Sequence, residues 1–182
     1  MDNLLGLVLC GGESKRMGRD KGLLRRGDTP WALYMGEKLK RWGIPAFYSI
    51  SQRQETAYSP IIPAGYLIRD SLDLPGPLNG LFSVHQCMPN SDILLLACDM
   101  LDLDEKTLEG LLSVWQVSDE SIDFFAYGDA RLWQPLCCIY TARGLDKANT
   151  ARDQSLQSIL RSGKTESLPI ADPAAFANYN SL

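Results

Sequence analysis

Histidine is nearly missing from this chain. Its 182 residues hold one, His85, in an apolar helical stretch where it reads as a tolerated surface or core residue. A histidine-based nucleophilic triad has no second candidate base, and zinc sites built from Cys and His have little support. The five cysteines, Cys10, Cys87, Cys98, Cys137 and Cys138, form no CxxC pair. Their odd number, with two adjacent inside an apolar run, reads as reduced core thiols; Cys10 also has a reading as a catalytic thiol. No apolar run reaches membrane-spanning length, and the start MDNLLGLVL lacks the basic region and cleavage site of a signal peptide, so the expected location is the cytoplasm, with no membrane partner. An excess of basic charge is absent too. The 18 Lys and Arg against 22 Asp and Glu give a net charge of −4, which argues against general nucleic-acid binding.

What remains is a chain with 45% hydrophobic residues, long enough for one domain spanning residues 1–182 with a full core. Apolar runs alternate with helical patterns. Strands are expected at Leu4–Cys10, Ala46–Ser51, Tyr66–Arg69, Asp92–Cys98, Ile122–Tyr127, Leu136–Thr141 and Glu166–Ile170. Helices are expected at Trp31–Trp42, Leu78–Met88, Leu103–Gln116 and Ser155–Arg161. The run DILLLAC, almost wholly apolar, marks a central strand covered on both faces. This alternation predicts an α/β fold in three layers, a mostly parallel central sheet with helices on both faces. Ligands in such folds bind beyond the carboxyl ends of the strands. Three polar clusters fall there: Gly11–Lys21, Asp70 and Asp99.

The first cluster, VLCGGESKRMGRDK, sets Gly11 and Gly12 at a strand end, where the backbone can turn sharply and approach a ligand. Six of the 18 Lys and Arg follow close together: Lys15, Arg16, Arg19, Lys21, Arg25 and Arg26. Neither the P-loop pattern nor the G-x-G-x-x-G fingerprint is present. The segment nonetheless offers backbone N–H groups and cations to a polyphosphate, with Arg16 and Lys21 placed to meet developing phosphoryl charge. Asp99 ends the most apolar strand, where a carboxylate costs desolvation unless a cation or donors meet it. A hard ion such as Mg²⁺, shared with substrate phosphates, meets that need. Asp70 has two readings, a second metal ligand or a group that orients the basic loop. Phosphoryl or nucleotidyl transfer asks little of a protein beyond positioning and charge neutralisation, and these residues supply both.

The segment LVLCGGESKRMGRDKGLL resembles the L-A-G-G-x-S-x-R-M-G-x-D-K signature of Rossmann-like nucleotidyltransferases. DSLDLPGPLNGLFSV is similar to the D-x-x-x-x-x-G-P-L-x-G loop of the molybdenum cofactor guanylyltransferases. ACDM, QPLCCIY and FANYNSL resemble that family's P-C-D-x-P, P-L-x-x-x-Y and F-x-N-x-N-T segments, in the same order along nearly the whole chain. The resemblance implies transfer of GMP from Mg-GTP to molybdopterin with release of pyrophosphate. It implies that Leu9, Cys10, Gly11 and Gly12 contact the nucleotide and that Arg16 and Lys21 hold phosphates. It further implies that Asp70 helps bind the nucleotide, that Asp99 carries Mg²⁺, that Gly76–Gly80 lies near the base, and that Asn178 and Asn180 face the pterin. Contact with cofactor-synthesis or molybdoenzyme-maturation proteins would be transient. Cys10 replaces the family's alanine, Ala97 and Leu101 replace prolines, and Ser49 or Ser51 stands where relatives carry an asparagine. The chain stops at Leu182, where relatives continue into a short acidic helix. A cytidylyltransferase on the same cofactor and a nucleotide-binding accessory protein without turnover remain as alternatives.

Overall fold

The computed structural model describes residues 3–10, 20–148, 150 and 152–179. The chain opens with β1 (Leu4–Leu9). A small antiparallel hairpin follows, β2 (Arg25–Arg26) and β3 (Thr29–Pro30), leading into α1 (Trp31–Arg41). Next come β4 (Ala46–Ile50), the single turn α2 (Glu55–Tyr58), β5 (Leu67–Arg69), α3 (Pro77–Cys87) and β6 (Asp92–Ala97). The remainder is α4 (Glu105–Val117), β7 (Phe124–Asp129), β8 (Leu132–Tyr140), α5 (Ala142–Lys147), α6 (Leu156–Ser162) and β9 (Thr165–Leu168).

Seven strands form one sheet in the order β5-β4-β1-β6-β8-β7-β9. The run DILLLAC is its central strand, as its two-sided apolarity predicts. All neighbouring pairs are parallel except those made by β8, which runs antiparallel to both β6 and β7. The β7–β8 hairpin turns at Asp129, whose carboxylate accepts the N–H groups of Arg131 at 2.9 Å and Leu132 at 3.3 Å.

Strand periodicity sorts the core into two layers. Leu4 and Val8 of β1, with Leu94 and Leu96 of β6, pack under Met35 and Leu39 of α1 and Leu108 and Leu111 of α4. The alternate residues, Leu5, Leu7, Leu9, Ile93 and Leu95, face α3, α5 and α6 through Leu81, Leu145 and Ile159. His85 sits in this second layer, its Nε2 3.0 Å from Asp146 on α5, a helix-to-helix tie far from the strand ends that bear the motifs.

Chain order fixes where a ligand crevice opens. From β1 the sheet grows to one side through β4 and β5, then the chain crosses back to add β6 on the other side. The loops after β1 and β6 therefore diverge, and the space between them is the topological switch point of the sheet.

Candidate active site

Two side chains meet at that switch point. Lys21 Nζ lies 2.8 Å from Asp99 Oδ2, with the side chains 19% and 12% exposed. Asp99 follows β6 by two residues, and Lys21 begins a short 3-10 turn, Lys21–Leu23, at the far end of the glycine-and-cation segment. Their pairing across 78 residues of sequence joins the two motifs that the sequence set at separate strand ends. Asp99 is 8% exposed, and the Lys21 ammonium offsets part of its desolvation cost.

The loop carrying Asp99 is held from outside. Leu101 C=O accepts from Arg26 at 3.0 Å and from Lys38 at 2.9 Å, and Lys38 also reaches Leu103 C=O. Burial, then the neighbouring Arg26 cation, pulls the Lys38 pKa below its ordinary value. Two cations on backbone carbonyls thus brace the loop that follows Asp99. The C-terminal segment closes on the same loop. Tyr179 N–H donates to Asp99 C=O at 3.1 Å, its hydroxyl bonds Asp102, and its ring meets Trp31 edge-on at 6.2 Å. Asn178 is exposed beside that anchor.

Asp70 lies immediately after β5 and accepts a 2.5 Å hydrogen bond from Ser49, which is 1% exposed. Burial pushes its carboxyl above the ordinary carboxylate range, and the Ser49 hydroxyl opposes that shift. Asp70 and Asp99 are not brought together at neighbouring strand ends. β5 and β6 are separated by β4 and β1, three strand spacings or about 14 Å. Among the described residues no three His, Cys, Asp or Glu side chains are grouped to hold a metal. Asp99, with one oxygen on Lys21, could offer its other oxygen to a hard cation that takes its remaining ligands from phosphate and water.

The backbone of the first motif is committed to the sheet. Cys10 N–H donates to Ser49 C=O at 3.0 Å, and Leu9 C=O accepts from Cys98 N–H at 3.2 Å. The Cys10 thiol is buried, which holds its pKa well above the ordinary thiol value. Burial of this kind disfavours the thiolate that a nucleophilic cysteine needs. Gly11, Gly12, Arg16 and Asn180 lie outside the described residues.

The GPLNG segment is mostly helix rather than loop. Gly76, at φ +53°, caps α3, and Pro77–Gly80 form its first turn. A Cβ on Gly80 would stand 2.2 Å from Ser49 Oγ and 2.8 Å from Leu9 Cδ2, so the glycine is what lets α3 lie against the ends of β1 and β4. Asn79 ties back the loop after Asp70, accepting Leu72 N–H at 3.0 Å and donating to Leu72 C=O. Sequence reasoning also passed over Asp20, Gln54 and Tyr58. Asp20 accepts from Gln54 at 2.7 Å, from Tyr58 at 2.8 Å and from Gly22 N–H at 3.0 Å. The Asp-Lys pair inside the motif was the available signal, because an aspartate directly before a short helical turn is a natural cap.

Comparison with known proteins agrees with this fold. The model of the MobA-like NTP transferase domain matches residues 6–168. A molybdenum cofactor guanylyltransferase of Pseudomonas entomophila is 30% identical over 182 residues, covering 96% of this chain and 92% of that one. Among solved structures, molybdopterin-guanine dinucleotide biosynthesis protein A of Archaeoglobus fulgidus superposes with TM-score 0.75 at 18% identity, covering 97% of this chain and 92% of that chain. The bifunctional IspDF of Campylobacter jejuni gives 0.70 at 15% identity, covering 95% and 51% respectively. Both solved structures share the Rossmann-like fold. The match to the family model, extending from β1 to the end of β9, shows that the chain belongs to the MobA-like NTP transferase family.

Proposed function

We propose that this enzyme is a molybdenum cofactor guanylyltransferase, transferring GMP from GTP to molybdopterin and releasing pyrophosphate. The observation that carries the reading is the near full-length likeness to relatives of that name, taken with the Lys21–Asp99 pair at the switch point. In this reading the terminal phosphate oxygen of molybdopterin attacks the α-phosphorus of GTP in line. A new P–O bond forms, the bond from the α-phosphorus to the bridging oxygen breaks, and pyrophosphate carries away the electron pair. Transfer of this kind generally uses a divalent metal, and Mg²⁺ held by Asp99 with the phosphates would neutralise charge at the α-phosphate.

The chain's own residues do the positioning. Lys21, with Arg16, would hold the phosphates and meet the charge that grows on the leaving pyrophosphate. Leu9, Cys10, Gly11 and Gly12 would form the nucleotide's edge of the crevice. Asp70 would bind the nucleotide while its Ser49 hydrogen bond fixes its orientation. Asn178 and Asn180 would face the pterin, anchored through Tyr179. The reading places the reaction in the cytoplasm, where the cysteines described as free would stay reduced. Handing the product to maturation proteins would need only transient contact.

The test is pyrophosphate release with molybdopterin and each of GTP, CTP, ATP and UTP. Turnover with GTP alone is expected. Turnover with CTP alone would make the enzyme a cytidylyltransferase, and none with any nucleotide would overturn the transferase reading in favour of a binding protein.

A further inference from the structure

Lys21 owes its position to a residue that neither motif contains. We infer that Gln54 is the positioning residue that fixes Lys21 against Asp99, by fastening the cap of the Lys21 turn to the end of β1. The Gln54 amide uses both ends. Its Nε2 donates to Cys10 C=O at 2.9 Å and to Asp20 Oδ2 at 2.7 Å. Its Oε1 accepts Ser51 N–H at 2.8 Å and Ser51 Oγ at 2.9 Å. The orientation is determined by these partners, because the flipped amide would set its oxygen against a carbonyl and a carboxylate.

The chain of contacts runs onward without a gap. The other Asp20 oxygen accepts Gly22 N–H at 3.0 Å and caps the turn, and Leu24 N–H closes that turn on Lys21 C=O at 3.0 Å. Lys21 Nζ then reaches Asp99 at 2.8 Å. Tyr58 holds Asp20 from beneath at 2.8 Å. Gln54 is thus the one described side chain bonded to Cys10, Ser51 and Asp20 together, that is, to the end of β1, the residue after β4 and the cap of the Lys21 turn. The inference rests on the reading of Lys21 as a phosphate ligand only for its catalytic consequence. The positioning itself can be tested without a nucleotide.

Three measurements on the full chain decide it. In Gln54→Ala, hydrogen exchange across residues 20–24 should rise at least about tenfold while the thermal midpoint stays close to wild type, since a capping network is lost and no core group is. Exchange equal to wild type overturns the positioning role. The KM for GTP should rise about tenfold with the KM for molybdopterin unchanged; a rise in both, or in neither, overturns the link to Lys21.

Gln54→Glu supplies the readout that a packing role would not move. Its carboxylate would face Asp20, with the hydroxyl of Tyr58 and the thiols of Cys10 and Cys98 behind, all three kept protonated by burial. Two carboxyls so close disfavour ionisation of both at once, so the pair takes up a proton as pH falls. The exchange protection of Gln54→Glu, taken relative to wild type at each pH, should therefore recover as pH falls. A deficit constant with pH overturns the hydrogen-bond account. Wild-type protein that shows the protection but binds no GTP would instead overturn the guanylyltransferase reading and leave the positioning intact.

Discussion

Replacing Asp99 with asparagine separates what the Lys21–Asp99 pair does for stability from what it does for chemistry. The charged atoms are 2.8 Å apart. At an effective dielectric of about 20 their gross attraction is about 6 kcal/mol, most of it cancelled by desolvating both ions. Breaking a fully buried pair by removing one partner costs about 3–5 kcal/mol. Here both side chains keep some contact with water, at 19% and 12% exposure, so screening lowers the expected cost to about 1–3 kcal/mol. For a chain of this size each kcal/mol lowers the melting midpoint by about 2–4 °C. The loss of turnover should be far larger, about a thousandfold or ~4 kcal/mol of barrier, because the carboxylate is asked to hold charge against the reacting phosphate. The double variant Asp99→Asn with Lys21→Met removes both charges and should regain most of the midpoint while regaining no activity. Circular dichroism on heating and pyrophosphate release measure the two quantities on the same samples. The reasoning is refuted if Asp99→Asn keeps a tenth of wild-type kcat, or if the double variant recovers activity along with stability.

Two further outcomes follow from neighbouring residues. Lys21→Ala should lose at least about a hundredfold in kcat/KM for GTP. Arg25→Ala should change it by less than about threefold, because among the described residues exposed Arg25 bonds only its own hairpin, at Asp28 C=O; equal losses would mean diffuse electrostatics rather than a placed ammonium. Asp70 carries a pH signature. Its carboxyl is raised on folding, chiefly by burial, so its contribution to stability is present below the unfolded pKa and is lost as pH rises through the folded one. Asp70→Asn should therefore be more stable than wild type at neutral pH, with the gap closing as pH falls through the carboxylate range. A difference in melting midpoint that does not vary with pH contradicts this.

Much of the fold was legible because it rests on local pattern. The apolar run at residues 92–98 could be satisfied only by a strand covered on both faces, and it became the centre of the sheet. Strand direction was not legible. A run such as LCCIY has the same composition whichever way it points, and the antiparallel course of β8 comes from the tight turn after Asp129. The helix α5 was missed because six residues capped by Thr141 give too short a period to read. At the site, Lys21 and Asp99 were visible as charges placed beyond apolar strands. Gln54 was not, because its partners Cys10 and Asp20 lie 44 and 34 residues away and its own segment has the composition of an ordinary polar loop. Residues that act on a ligand leave a chemical trace in sequence; residues that hold them in place leave one only in the packed chain.

The most direct measurement is the fate of the two ends of GTP. Wild-type enzyme with molybdopterin should move an α-phosphorus label into the pterin product and a γ-phosphorus label into pyrophosphate, in equal amounts, and Asp99→Asn should move neither at a comparable rate. Inorganic phosphate carrying the γ label, or an α label remaining on free nucleotide while pyrophosphate accumulates, would contradict transfer at the Lys21–Asp99 centre.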